Sequence, residues 1–419
     1  MISFIINAIK IIFLLGFLIL IHEGGHFLVA KLFKVRVNEF SLGFGKILFS
    51  KQKNETRYSI RMIPLGGFVS MEGEEERSKK EGSFSELPVL KRIAIVAAGA
   101  IVNIIFGLIV YFLLAAIAGS FYSTTISETV DGYAAKEYGL VAGDKIVEIN
   151  NKKIRLHSDI TDEVSKSNGN EINVVVLRNN KQIEYKIKPT EVITKTIGVY
   201  LGTEKDASTK IKSIYKDSPA EKAGVKDGDI IIKVNNIEVN EDYTKTIELI
   251  QTSEEKVNLE IERNGKIEIF EIDPMINRNY YIGAVFTIED RNFTNNCYYA
   301  YWTTLEFSGS LLDNVKQLFT GKVGVDQMMG PVGISSTVAS TTTIEEFIYL
   351  MALISLSLGI TNLLPIPALD GGKILLLIIE GIRRKPLNEK FEITIQMIGF
   401  ALLILLSIYV SYNDVLRLF

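Results

Sequence analysis

The sequence predicts a membrane-embedded α-helical protein: four transmembrane helices, with two α+β modules inserted between the second and the third. Three observations predict it. Four apolar stretches, about Ile5 to Leu28, Ile93 to Ala118, Phe347 to Leu369 and Ile393 to Tyr412, each reach the roughly 20 residues a helix needs to cross a bilayer. The last three contain no charged residue. Between the second and third stretches, from about Phe121 to Ile288, the composition becomes soluble, with alternating Val/Ile runs and turn residues. That segment also repeats itself at a constant offset.

The first span ends in His22-Glu23-Gly24-Gly25-His26, directly after the apolar run Ile11 to Ile21. Residues four apart lie about 40° from each other around an α-helix, so both imidazoles face the same way. Two neutral imidazoles on one face suit a divalent zinc ion, and the Glu beside them can take a proton from water that the ion activates. The bland alternative is a chance HExxH on a surface helix. A Glu and two His at the end of a membrane-length stretch are costly unless paired or bound, which argues for metal. The chain is apolar from Ile2 and no small-residue cleavage site follows, so the first stretch reads as a retained span and not a signal peptide.

Orientation follows from Lys and Arg in the loops. Thirteen lie between spans one and two, from Lys31 to Arg92, and five lie between spans three and four, from Lys373 to Lys390. Both loops are therefore expected in the cytoplasm, with the termini and the long middle segment outside. Spans one and three then run in the same direction. His22 and His26 near the inner end of one meet Asp370 at the inner end of the other, at similar depth. Two His and a carboxylate are the usual protein ligands of a catalytic zinc. Taken alone, Asp370 also reads as a helix cap before Gly371-Gly372.

Within the first loop, Arg61 to Met71 is apolar, short, and broken by Pro64, Gly66 and Gly67. It cannot span as a helix. It reads either as an interfacial loop or as a re-entrant hairpin sheltered by protein, whose edge could pair with an extended peptide. Glu72 to Glu86 reads as a flexible polar loop.

In the middle segment, Ala135, Gly139, Gly143, Asp144, Asn150 and Asn151 recur as Ala220, Gly224, Gly228, Asp229, Asn235 and Asn236, each 85 residues on. The shared text is a short helix ending in Gly, a Gly-Asp turn, a strand (Lys145 to Ile149; Ile230 to Val234) and an Asn-Asn turn. Residues 121–203 and 204–290 are thus expected to be two copies of one module. The third histidine, His157, has no ligand at helical spacing and reads as a surface residue. Residues 291–345 are amphipathic: Trp302, Leu305, Leu312, Val315 and Phe319 fall at roughly helical spacing, broken by Ser308. This suits a helix at the outer interface or one packed on the modules. Gly330-Pro331-Val332-Gly333 reads as a break before span three. Residues 1–120 and 346–419 carry the paired spans.

A net charge of −3 implies no nucleic-acid partner, and one cysteine, Cys297, excludes a disulfide framework or a Cys-rich metal site.

With His22-Glu23-Gly24-Gly25-His26 in a first span, and Asn362-Leu363-Leu364-Pro365-Ile366-Pro367-Ala368-Leu369-Asp370-Gly371-Gly372 in a third, the chain resembles the site-2 protease family of intramembrane zinc metalloproteases. Its layout is similar to the bacterial regulator-of-sigma-E protease branch, and the modules resemble PDZ domains. The resemblance implies that His22, His26 and Asp370 bind Zn2+ and that Glu23 is the catalytic acid/base. It implies that Asn362 and Pro365 contact substrate, and that Gly66 and Gly67 belong to a re-entrant β-loop receiving unwound substrate. It implies a multi-pass protein of the bacterial cytoplasmic membrane, with its active site near the cytoplasmic face and its PDZ-like modules outside, filtering substrates by size. The expected partners are the lipid bilayer, single-span anti-sigma-factor-like proteins and remnant signal peptides. The chain departs from the family where Ala98-Gly99-Ala100-Ile101-Val102-Asn103 lacks a common Gly-Pro, and where the modules lack a Gly-Leu-Gly-Phe loop. Ile197-Gly198-Val199 and Ile282-Gly283-Ala284 are the nearest candidates. Two other readings compete: a non-catalytic PDZ-bearing scaffold, and a metal transporter. Spans two and four carry no histidine or charge to line an ion path.

Overall fold

The computed structural model describes residues 2–74, 76–117, 121–202, 208–325 and 328–418. The chain forms two compact units, residues 1–120 with 290–419, and residues 121–289.

The first unit opens with α1 (Ile2–Leu32), a hairpin of β1 (Val37–Lys53) and β2 (Thr56–Met71), and α2 (Val89–Ile117). Asn54, at φ +51°, makes the tight reversal between the strands, a conformation Asn tolerates. The sheet extends well beyond the expected Arg61–Met71 element. Glu39 to Leu42 are paired on both sides, with Ser70 to Gly67 on one and Arg57 to Ile60 on the other. Buried Glu39 receives Arg57, Ser59 and Arg61, which pins this register.

The second unit runs β3 (Phe121–Thr129), α3 (Ala134–Glu137), β4 (Lys145–Ile149), β5 (Lys152–Lys153), α4 (His157–Lys166), β6 (Ile172–Arg178), β7 (Lys181–Ile187), β8 (Thr190–Thr196), β9 (Val199–Tyr200), β10 (Ser213–Ile214), α5 (Pro219–Ala223), β11 (Ile230–Val234), β12 (Ile237–Glu238), α6 (Tyr243–Gln251), β13 (Val257–Arg263), β14 (Lys266–Ile272), β15 (Met275–Tyr281) and β16 (Ala284–Glu289). The repeat is visible in the fold. Asn150-Asn151 and Asn235-Asn236 take φ values of +49° and +65°, and +50° and +66°, as hairpin turns of matching geometry. Two cores result, one around Ile146, Ile149, Val174 and Val176, the other around Ile231, Val234, Leu259 and Ile261. Each such side chain contributes about 1.5–3 kcal/mol on burial.

The division between consecutive modules is corrected. The boundary at 203/204 lies outside the described residues, but β16 pairs with β3, and Ile282 and Phe286 sit in the first core. The second lobe is therefore inserted into the first, through the two-stranded ribbon β8–β15. Ala135 N–H donates to Ile282 O at 2.6 Å, and Ala220 N–H donates to Ile197 O at 2.9 Å, so each lobe uses the Ile-Gly segment that lies against its own short helix.

The first unit then resumes with α7 (Phe293–Phe319), α8 (Pro331–Ser340), α9 (Ile344–Asn362), α10 (Asp370–Arg383) and α11 (Glu389–Leu418). Among the described residues, four helices are long and apolar enough to cross a membrane: Ile5–Leu32, Val89–Ile117, Ile344–Asn362 and Glu389–Arg417. The expected end of span two at Ala118 lies outside the described residues. Span three is shorter than expected. It stops at Asn362, because Pro365 and Pro367 cannot continue the helical hydrogen-bond ladder. The break expected at Gly330–Gly333 instead starts α8, with Pro331 in the first helical position, where it costs no bond. α7 packs its Ala300 with Val110 and Tyr111 of α2. The polar loop after β2 is tied down: Arg77 donates to Leu387 O at 2.7 Å, and Ser78 to Glu72 at 2.8 Å.

Candidate metal centre

α1 presents His22 and His26 from one face, with their rings edge-to-face at 4.8 Å and their Nε2 atoms 3.2 Å apart. Asp370, the first residue of α10, places Oδ2 at 3.3 Å from His22 Nε2 and 3.6 Å from His26 Nε2. That oxygen is closed to solvent and makes no hydrogen bond. The three potential ligand atoms lie within 4.8 Å of one another. An orphaned carboxylate oxygen facing two imidazole nitrogens is the donor set of a zinc site, so these residues fit that ion.

The turn into α10 explains how a residue 344 positions beyond His26 arrives here. After α9 the chain kinks through Pro365 and Pro367, and Ala368 is held at φ +74°. Ala368 N–H donates to Gln396 on α11. Gly371 and Gly372 then slip beneath this turn: a Cβ would meet Leu364 O at 2.2 Å from one and Ile366 O at 2.3 Å from the other. The helix N-terminus favours a carboxylate at Asp370. Behind it, Glu380 is paired with Arg92 at 2.5 Å, and Lys373 with Glu74 at 2.8 Å, anchoring α10 to α2 and to the loop after β2. A cavity of about 430 Å³ opens beside Asp370, lined by Glu74, Lys373, Glu392 and Gln396 among others.

α2 closes the other side. His26 Nδ1 lies 2.9 Å from Ile95 O, and Asn103 Nδ2 lies 3.4 Å from His22 Nδ1. Gly99 is required here: a Cβ on it would fall 2.3 Å from His26 Nε2. Sequence reasoning missed Ile95, Gly99 and Asn103 as parts of the site. The legible signals were a buried-type Asn within an otherwise apolar span and the comparison of Ala98 to Asn103 with the resembled family.

The remaining predicted residues divide. Glu23 takes a hydrogen bond from the Val69 backbone. Gly67 is packed so closely that its Cβ would lie 3.4 Å from Glu23 Cγ. Gly66 sits at φ +126°, and a Cβ on it would fall on the Phe44 ring. The β-hairpin thus borders the site. Asn362 ends α9 with Nδ2 3.4 Å from His22 Nε2. Pro365 is exposed and lies in the turn after α9. His157 is not a plain surface residue. It is half-buried in the first lobe against Phe286, ring centroids 4.7 Å apart, and burial pushes its imidazole pKa down. Cys297 is a free, exposed thiol.

The profile of Peptidase family M50 matches residues 10–406. A zinc metalloprotease RasP of Geobacillus kaustophilus is 31% identical, over 99% of this chain and 98% of that one. A regulator of sigma E protease of Haemophilus influenzae is 28% identical, over 99% of this chain and 100% of that one. Among solved structures, the PDZ domain of HtrA3 bound to a phage-derived ligand aligns at a TM-score of 0.19 with 23% identity. It covers 22% of this chain and 93% of that one.

Proposed function

The chain belongs to peptidase family M50, and on that premise we propose how its residues divide the work of cutting a peptide bond within a membrane. The protein is a zinc-dependent intramembrane metalloprotease of the site-2 type. His22, His26 and Asp370 would hold the ion, with Nε2 of each imidazole and Oδ2 of the carboxylate facing one another. The single observation that carries this assignment is the unpartnered Oδ2 of Asp370, within 3.6 Å of both imidazole nitrogens. When bound, zinc supplies a Lewis acid that polarises a carbonyl and lowers the pKa of water.

Glu23 accepts a proton from the attacking water and delivers it to the leaving amine. The substrate must unwind first, because a helical carbonyl is engaged in its own hydrogen bond, and the freed groups need partners where water is scarce. The edge of β2 at Gly66 and Gly67, the latter packed against Glu23, takes the unwound segment as an added strand. Asn362 and Pro365, at the end of α9 and in the turn beyond it, contact the same segment. The Lys and Arg of the hairpin and α10 regions support a site near the cytoplasmic face. The two lobes are PDZ-like, lie outside, and restrict access to single-span substrates: anti-sigma-factor-like proteins and remnant signal peptides. The sigma-E name of one relative supports the first class.

The test is Glu23→Gln, scored on a co-expressed single-span substrate. Cleavage should fall by about 10²- to 10⁴-fold while zinc content stays at the wild-type level. Undiminished cleavage would remove Glu23 from the chemistry.

A further inference from the structure

Asn103 is fully buried on α2, and its side chain faces His22. Its backbone carbonyl accepts from Ser355 Oγ at 2.9 Å, which fixes α2 against α9 at this point. One end of the side-chain amide lies against His22 Nδ1. The other end, Oδ1, has no hydrogen-bond partner. Amide oxygen and nitrogen are interchangeable in shape, so the orientation is decided by whichever neighbour has a preference. Among the described residues, His22 Nδ1 is the one hydrogen-bonding neighbour of this amide.

The neighbouring ligand shows what that preference is. His26 Nδ1 lies 2.9 Å from Ile95 O, and a carbonyl can only accept. His26 therefore carries its proton on Nδ1 and leaves the lone pair of Nε2 facing Asp370. If His22 also offers Nε2 to the ion, its Nδ1 likewise carries a proton and needs an acceptor. As oriented with Nδ2 forward, Asn103 would set two donors against each other.

We propose that Asn103 turns Oδ1 toward His22 and accepts from its Nδ1–H, so that Asn103 is the positioning residue that selects the metal-binding tautomer of His22. It does for His22 what the Ile95 carbonyl does for His26. Partners of this kind fix ring orientation and raise ligand basicity. The inference rests on His22 being a ligand and acts only through that ring.

The test measures zinc affinity of the full-length, detergent-purified protein by competition with a chromophoric chelator, in wild type, His22→Ala, Asn103→Leu and Asn103→Asp. Asn103→Leu keeps the size and removes the acceptor, and should weaken zinc by about 10- to 100-fold. Asn103→Asp keeps an acceptor and should stay within a few-fold of wild type, a rescue that a role in packing alone would not give. Should the Leu variant fail to insert, Asn103→Ala carries the same expectation. Wild-type affinity in Asn103→Leu or Asn103→Ala, with zinc lost in His22→Ala, would overturn this proposal alone. Wild-type affinity in His22→Ala would overturn the ligand assignment and this proposal with it. Equal weakening by Leu and Asp would also overturn it.

Discussion

In the two lobes, buried Asp144 and Asp229 are each gripped by one arginine through both oxygens. Arg178 donates to Asp144 at 2.6 and 2.7 Å, and Arg263 to Asp229 at 2.8 and 2.6 Å. In the helical unit, Oδ2 of Asp370 has no such donor. The contrast is not one of membrane against water. Elsewhere in the helical unit, Asp414 takes the N–H groups of Gly330 and Gly333 at 2.9 and 2.8 Å, and Glu380 takes Arg92. Among the described residues, Asp370 holds the one buried carboxylate oxygen without a hydrogen bond. A satisfied carboxylate holds a fold together. An unsatisfied one facing two imidazoles supports the cation-binding role proposed for Asp370.

Substitutions at the two kinds of aspartate site should therefore fail in opposite ways. Asp370→Asn should weaken zinc by more than about 100-fold, beyond the loss typical of an indirect partner, and should shift the melting of metal-free protein by no more than about 0.5 kcal/mol. Arg178→Met should do the reverse. It strands Asp144 and should destabilise the lobed unit by about 3 kcal/mol, the low end for a broken buried pair because Arg178 keeps contact with water. Its zinc affinity should not change. Metal titration and hydrogen exchange on the same preparations check both.

Gly99→Ala sharpens the comparison within the helical unit. The added methyl falls on His26 Nε2 at 2.3 Å, so zinc affinity should drop, and overpacking should cost about 1–3 kcal/mol. Calorimetry beside the chelator assay separates the two effects.

The smallest effect is on pH dependence. For Asp144 and Asp229, burial works to raise the carboxyl pKa, but the hydrogen bonds from Arg178 and Arg263 outweigh it and hold both below the usual range. A lowered folded-state value gives stability that is complete above the unfolded carboxylate pKa of about 3.9, and that is lost as pH falls through the folded value. Exchange protection in the lobes should thus stay level from pH 7 to about 4 on this account and fall below that. Asn at both positions should flatten the acid limb.

Much of this was legible from residues alone, for identifiable reasons. His22, Glu23 and His26 sit within one helical turn, so spacing reports their geometry. Asp370 was reachable because loop charges set the direction of the spans, and so the depth at which it arrives. The lobes were legible because their text occurs twice. Where one segment had to choose among distant partners, the pattern was silent. The Ile-Gly segment at 197 recurs at 282, and 85 residues before 197 the chain is at Phe112, inside the second span. The first lobe therefore takes the later copy, an exchange that no local periodicity encodes. Pro365 and Pro367 did announce the end of α9, but the apolar run masked them. Gly99 and Asn103 act by what they touch across a helix interface, which periodicity along one helix does not report.

Zinc-edge X-ray absorption on the purified Glu23→Gln protein tests the central claim most directly. Convergence of His22, His26 and Asp370 predicts one zinc per chain, about four-coordinate, with two imidazole nitrogens and oxygen in the remaining positions. A spectrum with no imidazole in the inner sphere, or zinc that persists unchanged when Asp370 is replaced by alanine, would contradict it.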